Sequence, residues 1–454
     1  METTPRLRLS EFDRDWIDGV SGHSFYRRVL RRVHQIRARE TPARQHGVLI
    51  VERDPISFAA ALCAAIYLQV PVILANPQWR RAEWSAVANQ VRPAFIFGRS
   101  LLEQLPAEAG PQLEPGTILI PTGGTSGRIK FAVHTWEGFL SACPGVADFL
   151  GGGPVNACCT LPLYHVSGLM QLVRTWATGG RLFALPWKDL LGGMRPNFQA
   201  AALTLSLVPT QLQRLLQDPA CVDYCRSLRA IFIGGASLHS QLAESARAEG
   251  LPLVLSYGMT ETAAMVAALP AQDFLSGASN AGRALPNVKL EVVQEDGRCC
   301  AVGQAGRIRV SSPALFRGYH ARGRTLRCEE AFMTDDEGVL DAQGYLHVLG
   351  RSDRIVNSGG EKIDPLEVET VLLESGYAKE VLVLGWPDVE WGEKLIAFYT
   401  QSNEQRQASG LNEWLRAHMV DYKRPKVMIC VEALPVTANG KLEHDRIQAL
   451  LEES

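Results

Sequence analysis

The sequence predicts an α/β protein: a large, multi-subdomain N-terminal domain with parallel-type sheets and a β-rich subdomain, then a small α+β C-terminal unit. Three observations carry this. The 454 residues exceed what one hydrophobic core organises, so two or three domains are expected. Short apolar runs alternate with helical patterns at intervals suited to strand–helix–strand units. The texture becomes β-like after Gly282, and a freshly capped helix begins after a polar turn at Gly350-Arg-Ser-Asp-Arg354.

The elements follow in order. The basic run Arg27–Arg37 reads as the solvated face of a helix. Phe58–Ala75 approaches a membrane span in length, but Gln69 and Pro71 interrupt it. A buried alanine-rich helix ending before Pro71, then a short buried strand, is the expectation. Gly47–Val51, Ala94–Phe97, Ala201–Val208 and Ala230–Ile233 read as strands. Pro209–Leu216 between the last two reads as a helix, which makes the sheet parallel there. Val288–Val293 and Gly306–Ser311 carry the β-rich part, and Tyr345–Val348 precedes the boundary. The division is therefore 1–350 and 351–454. The later unit opens on a helix with Asp364 as N-cap, Pro365 first and Gly376 beyond its end, followed by strands Val381–Leu384 and Leu395–Tyr399.

Bulk properties exclude several classes. Hydrophobic residues make up 46%, charged residues 21% and the net charge is −2, an ordinary globular balance that gives nucleic acid or an anionic membrane no footing. The ten cysteines show neither C-x-x-C pairs nor zinc spacing. With no signal peptide either, the expectation is buried thiols in a reducing cytoplasm.

The most informative run is Pro121-Thr-Gly-Gly-Thr-Ser-Gly-Arg-Ile-Lys130. It places three glycines, three hydroxyls and two cations in ten residues after the apolar, strand-like Thr117–Ile120. Inward-turned amides, hydroxyl donors and a cation suit a polyphosphate. The Walker A spacing is absent, because the fifth residue after Gly123 is Arg128 and the fifth after Gly124 is Ile129. Tyr257-Gly-Met-Thr-Glu261 follows the strand-like Leu253–Ser256. It sets an aromatic face, a hydroxyl and a carboxylate suited to adenine and Mg²⁺ in five residues.

Together with Gly350-Arg351, Asn357-Ser-Gly-Gly-Glu361 and Pro435-Val-Thr-Ala-Asn-Gly-Lys441, these segments resemble the signature set of the acyl- and aryl-CoA ligase, adenylation-domain and luciferase superfamily, from about Phe58 onward. The resemblance implies a mobile C-terminal lid, ATP and CoA as co-substrates and Mg²⁺ as cofactor. A carboxylate attacks the α-phosphate, and a thiol then displaces AMP. Two anions approach each other, so cations and amide dipoles must be preorganised around the α-phosphate. The implied roles are these. Thr122, Gly123, Gly124, Thr125, Ser126, Gly127 and Lys130 cradle the β- and γ-phosphates. Gly234, Gly235 and Ala236 flank the base, and Tyr257, Gly258, Met259 and Thr260 line the nucleotide pocket. Glu261 binds Mg²⁺, and Lys441 bridges the substrate carboxylate and the α-phosphate. Asp336 and Arg351 contact the ribose; Asp335 stands where the superfamily usually has glycine, which leaves two aspartates adjacent. Asp353 matches the hinge, and Gly359, Gly360 and Glu361 swing toward the CoA thiol.

Leu161-Pro-Leu-Tyr-His-Val-Ser-Gly-Leu169, Thr178-Gly-Gly180 and Val208–Leu216 resemble the 2-succinylbenzoate–CoA ligase family. That family serves menaquinone and phylloquinone synthesis, and the form Pro121–Trp136 resembles its cyanobacterial and plant branch. His165 would orient the acyl carboxylate. The second carboxylate needs a partner in a partly apolar pocket, and Ser167 and Arg214 are the candidates. Implied partners are a small carboxylic acid, ATP and CoA, with no nucleic acid and no membrane span, and a homodimer is compatible. The chain is short for the superfamily, with the missing length placed before Pro121. The competing readings are another aryl- or acyl-CoA ligase, a unit loading a carrier protein, and a catalytically silent nucleotide-binding protein.

Overall fold

A computed structural model describes residues 8–79, 81–102, 111–123, 129–236, 238–321, 324–327, 330–351, 356–358, 361–388, 392–402, 408–437 and 442–453. The chain divides into two compact units. The first comprises Met1–Gly235, Ala246–Leu290 and Arg309–Phe332; the second comprises Ala236–Ser245, Glu291–Ile308 and Met333–Ser454.

The first unit is built on two seven-stranded sheets. One runs in the spatial order Arg324–Arg327, Gly318–Ala321, Ile129–Thr135, Thr117–Gly123, Val72–Leu74, Val48–Val51, Phe95–Gly98. The other runs Arg283–Ala284, Ala264–Leu269, Leu253–Met259, Ala230–Ile233, Leu203–Leu207, Asn156–Cys159, Leu182–Ala184. The expected parallel pairing holds through the body of each sheet, whereas the strands toward one edge of each are antiparallel. Short connections return the chain directly from Thr117–Gly123 to Ile129–Thr135 and from Leu253–Met259 to Ala264–Leu269. Such direct returns can only be antiparallel, because a parallel neighbour needs a longer crossover.

The buried alanine-rich helix expected before Pro71 forms as Pro55–Tyr67; the structure adds its start, where Asp54 caps it by accepting from Ser57 N–H at 2.8 Å and Pro55 opens it. It ends before Gln69, which adopts φ +54°, and the buried strand Val72–Leu74 follows. Phe58 and Leu62 are fully buried there, each worth about 1.5–3 kcal/mol. The helix Gly22–Arg37 buries Phe25, Val29, Val33 and Ile36, while Arg27, Arg28, Arg31 and Arg37 face water, so the basic run is a solvated face. No helix among the described residues is long and apolar enough to cross a membrane. Of the described cysteines, six are buried as expected, but Cys299 and Cys430 are exposed and Cys300 is partly so.

The strand Phe332–Leu340 pairs antiparallel with Leu346–Arg351, so the expected polar boundary at Gly350-Arg351 begins inside a strand. In the second unit, a five-stranded sheet carries Glu361–Ile363, Val356–Ser358, Gly392–Gln401, Ala378–Asp388 and Val427–Cys430. Its helix Pro365–Glu374 has the predicted cap, with Asp364 accepting from Leu366 N–H at 2.9 Å, and Gly376 turns at φ +68°. It buries Val368 and Leu372 against Val383, Leu395 and Ala397.

Candidate active site

Four parallel strands of the second sheet lie side by side: Leu253–Met259, Ala230–Ile233, Leu203–Leu207 and Asn156–Cys159. Parallel strands end on the same edge of the sheet, where open α/β sheets bind ligands. Every candidate of this sheet follows a C-terminal strand end. His165 and Ser167 follow Cys159, Arg214 follows Leu207, Gly234-Gly235-Ala236 follows Ile233, and Tyr257–Glu261 closes Leu253–Met259. Predicted nucleotide and acid residues thus emerge along one edge.

The turn carrying Glu261 is tightly made. The strand expected to stop at Ser256 continues to Met259, with a bulge between Tyr257 and Gly258. A Cβ on Gly258 would sit 1.9 Å from the Ala264 carbonyl oxygen, so only glycine lets the returning strand approach. Thr262 Oγ1 accepts from Met259 N–H at 3.0 Å and donates to the Ala264 carbonyl at 2.6 Å. Ala263 and Ala264 are held at φ +52° and +75°, left-handed conformations that cost an L residue about 1–2 kcal/mol each. The product of this strained return is Glu261, a carboxylate only 8% exposed. Its Oε1 accepts from the Tyr319 hydroxyl at 2.5 Å, and its carbonyl accepts from Phe316 N–H at 2.8 Å. Tyr257 is buried beside it in the chain.

The phosphate segment is flanked by two strands, and a strand rather than a helix follows it. Thr117–Gly123 and Ile129–Thr135 pair antiparallel, with Thr122 opposite Lys130. No helix dipole follows this loop, a second departure from a Walker A arrangement. Gly124, Thr125, Ser126 and Gly127 lie outside the described residues. Ala132 pairs with Tyr319, which places Lys130 on the diagonal, and the Lys130 ammonium sits 3.6 Å from the Tyr319 ring centroid. Further along the same strand, fully buried His134 lies with Nε2 2.8 Å from the Thr260 carbonyl. A carbonyl only accepts, so Nε2 carries the proton, and Nδ1 is buried without a partner. Burial pushes the His134 pKa down to about 4, which keeps the ring neutral.

In the second unit, strand alternation separates the two aspartates. Thr334 and Asp336 face inward, Asp336 being 6% exposed, whereas Asp335 faces outward with Arg307 Nη2 at 3.6 Å. Asp336 N–H donates to Thr334 Oγ1 at 3.1 Å, and Asp336 lies directly across the ladder from Arg351. The two predicted ribose residues are thus cross-strand neighbours. Ser358 pairs with Glu361 across a hairpin, and Val436 bridges Leu442. Asp353, Gly359, Gly360 and Lys441 lie outside the described residues.

The acid loop places His165 at the N-cap of the helix Val166–Ala177, its ring 4.6 Å from that of Tyr164. Gly168 is required there, since a Cβ would meet the Pro162 carbonyl oxygen at 2.2 Å. Ser167 and Arg214, the candidates for the second carboxylate, are both exposed. The buried cation of this region is Arg174, 4% exposed, with Nε lacking a partner.

Among the described residues, no group of three or more His, Cys, Asp or Glu could hold a metal. One buried carboxylate is the donor set that Mg²⁺ takes when substrate phosphates and waters complete its shell. Glu261 therefore fits Mg²⁺ bound together with a nucleotide.

Two family models match the chain: "AMP-binding enzyme" over residues 106–320 and "AMP-binding enzyme C-terminal domain" over residues 367–441. The 2-succinylbenzoate–CoA ligase of Bacillus cereus (strain ATCC 10987 / NRS 248) is 31% identical over 348 residues, covering 75% of this chain and 71% of that protein. The chain belongs to the AMP-binding enzyme family.

Solved structures agree on the fold. O-succinylbenzoate coenzyme A synthetase of Bacillus subtilis in complex with AMP superposes with a TM-score of 0.80 at 25% identity, covering 96% of this chain and 95% of that one. The same protein with ATP and magnesium ion gives 0.81 at 23%, covering 97% and 98%. The AMP-binding enzyme match spans the phosphate segment, the acid loop, the Glu261 turn and Tyr319, and the C-terminal match ends at Lys441. Sequence reasoning missed His134, Tyr319 and Arg174 as parts of this region. The available signals were a cation inside the apolar run Leu169–Trp176 and, for His134, its place in the run Pro121–Trp136; nothing local marked Tyr319.

Proposed function

We propose that this member of the AMP-binding enzyme family is an acid–thiol ligase that adenylates 2-succinylbenzoate and transfers the acyl group to CoA. The products are 2-succinylbenzoyl-CoA, AMP and pyrophosphate. The observation that carries the reading is the convergence of acid and nucleotide candidates on one sheet edge, in a chain 31% identical to a ligase of that name. In the first half-reaction a carboxylate oxygen bonds to the α-phosphorus as the bond to the β-phosphate oxygen breaks. In the second, the CoA sulfur bonds to the acyl carbon as the bond to AMP breaks.

In this proposal Thr122–Gly127 and Lys130 hold the β- and γ-phosphates, and the Gly234–Ala236 and Tyr257–Thr260 segments bind the adenosine. Glu261 would hold Mg²⁺, which neutralises phosphate charge when bound. Asp336 takes the ribose hydroxyls; its inward face supports this choice over Asp335. Arg351 assists at the ribose, His165 orients the reacting carboxylate, and Ser167 and Arg214 receive the second one. Residues 351–454 act as the lid, hinged at Asp353, which presents Lys441 for adenylation and Gly359-Gly360-Glu361 for thioester formation. The enzyme is proposed to be cytoplasmic and to serve menaquinone or phylloquinone synthesis, and a homodimer is compatible with the proposal. Another aryl- or acyl-CoA ligase is the second reading, favoured by the exposure of Ser167 and Arg214.

The test is CoA-thioester formation from 2-succinylbenzoate beside benzoate and medium-chain fatty acids. A clear preference in kcat/KM for 2-succinylbenzoate is expected; equal or better use of another acid overturns the substrate assignment. Absence of ATP–pyrophosphate exchange with every acid overturns the enzymatic reading.

A further inference from the structure

Tyr319 belongs to none of the motifs singled out in the sequence, yet it touches two of them. Its hydroxyl donates to Glu261 Oε1 at 2.5 Å, and its ring face lies 3.6 Å from the Lys130 ammonium. The ring is buttressed by Phe316, edge-on at 4.8 Å, and Phe316 N–H is itself bonded to the Glu261 carbonyl. Tyr319 is thus fixed from three sides, by the strand pairing to Ala132, by Phe316 and by Glu261.

A lysine and a carboxylate on neighbouring elements ordinarily pair with each other, and an ammonium–carboxylate pair withdraws both from any ligand. Here no ion pair joins Lys130 to Glu261 among the described residues, because the phenol stands between them. Its edge takes the carboxylate and its face takes the cation. We infer that Tyr319 is a positioning residue that keeps Lys130 and Glu261 apart, leaving the ammonium for phosphate oxygens and orienting the carboxylate for the nucleotide's divalent cation. The inference rests on the roles proposed above for those two residues.

Tyr319→Phe removes the hydroxyl and keeps the ring between the charges; Tyr319→Leu removes both contacts. The experiment is calorimetric titration without acid, so that no turnover occurs. Mg²⁺ is titrated into protein with ATP, and ATP is titrated in the absence of divalent cation. Tyr319→Phe should raise the half-saturating Mg²⁺ concentration about tenfold, the loss expected for a charge-assisted hydrogen bond, and leave metal-free ATP binding within about twofold. Tyr319→Leu should in addition weaken metal-free ATP binding about fivefold, as expected for loss of a cation–π contact. In a Glu261→Gln background the Tyr319→Phe effect on Mg²⁺ should vanish.

An unchanged Mg²⁺ dependence in Tyr319→Phe, with normal nucleotide binding by the parent protein, overturns this inference and leaves the functional proposal standing. Equal weakening of metal-free ATP binding and of the Mg²⁺ dependence in Tyr319→Phe also overturns it, because that is the signature of a merely structural tyrosine. A parent protein that binds no nucleotide overturns both.

Discussion

Protonating His134 should cost the first unit a definable share of its stability. The imidazole is fully buried between Phe139 and Phe316, with ring centroids at 4.9 and 6.4 Å, and it donates from Nε2 to the Thr260 carbonyl. A proton on Nδ1 would create a buried charge with no acceptor at that atom. The folded pKa of about 4 lies below the ordinary 6.5. Between these values the unfolded chain binds a proton that the native state refuses. The contribution is therefore complete above pH 6.5 and is lost as pH falls through 4. At about 1.4 kcal/mol per pH unit the full gap amounts to roughly 3 kcal/mol, most of which is lost by pH 4.5. Urea unfolding of the wild-type protein and of His134→Gln, followed by tryptophan fluorescence from pH 7.5 to 4.5, reads it directly. Glutamine keeps a donor for Thr260 and cannot charge. His239 and His320, also pushed down by burial, titrate equally in both proteins. Over that range the wild type should lose at least about 2 kcal/mol more than His134→Gln does. Parallel losses within about 0.5 kcal/mol would refute the buried, neutral imidazole.

Other expectations concern the proposed chemistry and its scaffold. Lys441→Ala should nearly abolish adenylate formation while sparing thioester formation from supplied acyl-adenylate; equal loss of both half-reactions would contradict the lid assignment. Arg214→Ala should raise KM for 2-succinylbenzoate far more than KM for ATP, and an unchanged acid KM would remove Arg214 from the second carboxylate. Arg174→Met should leave the acid KM alone and hold or raise the melting temperature, since it exchanges a buried guanidinium with an unpartnered Nε for an apolar chain. A loss above about 2 kcal/mol would show that the cation is satisfied. Gly258→Ala should weaken nucleotide binding at least about tenfold as measured by calorimetry, because its methyl would displace the Ala264 carbonyl and with it the Glu261 turn; wild-type affinity would show that the turn can shift at no cost.

Much of the architecture was legible in local pattern. Ala230–Ile233 and Gly306–Ser311 form as strands over the residues that the apolar run of one and the alternation of the other mark, and Asp364-Pro365 starts its helix where capping chemistry places it. The limits of local reading appear where partners are remote. Strand Leu253–Met259 runs past Ser256 because Ala264–Leu269 returns to pair with it, and the strands flanking the phosphate segment are set by pairing that puts Thr122 opposite Lys130. Ser167 and Arg214 have the right chemistry for a carboxylate, but their exposure depends on packing around their helices, which composition does not encode.

The sequence by itself determined the motif set, the family and the class of chemistry, because glycines, hydroxyls and charges in fixed order are properties of the chain. Tertiary structure alone decided how those groups are held. His134 meets Thr260 across 126 residues and Tyr319 meets Glu261 across 58, contacts between a strand of one sheet and a turn of the other. Strand alternation, likewise, and not residue identity, turned Asp336 inward and Asp335 out. The physical reason is common to all three: a side chain's hydrogen-bond partner and its burial are set by which strands lie side by side, and that is settled only when the sheets assemble.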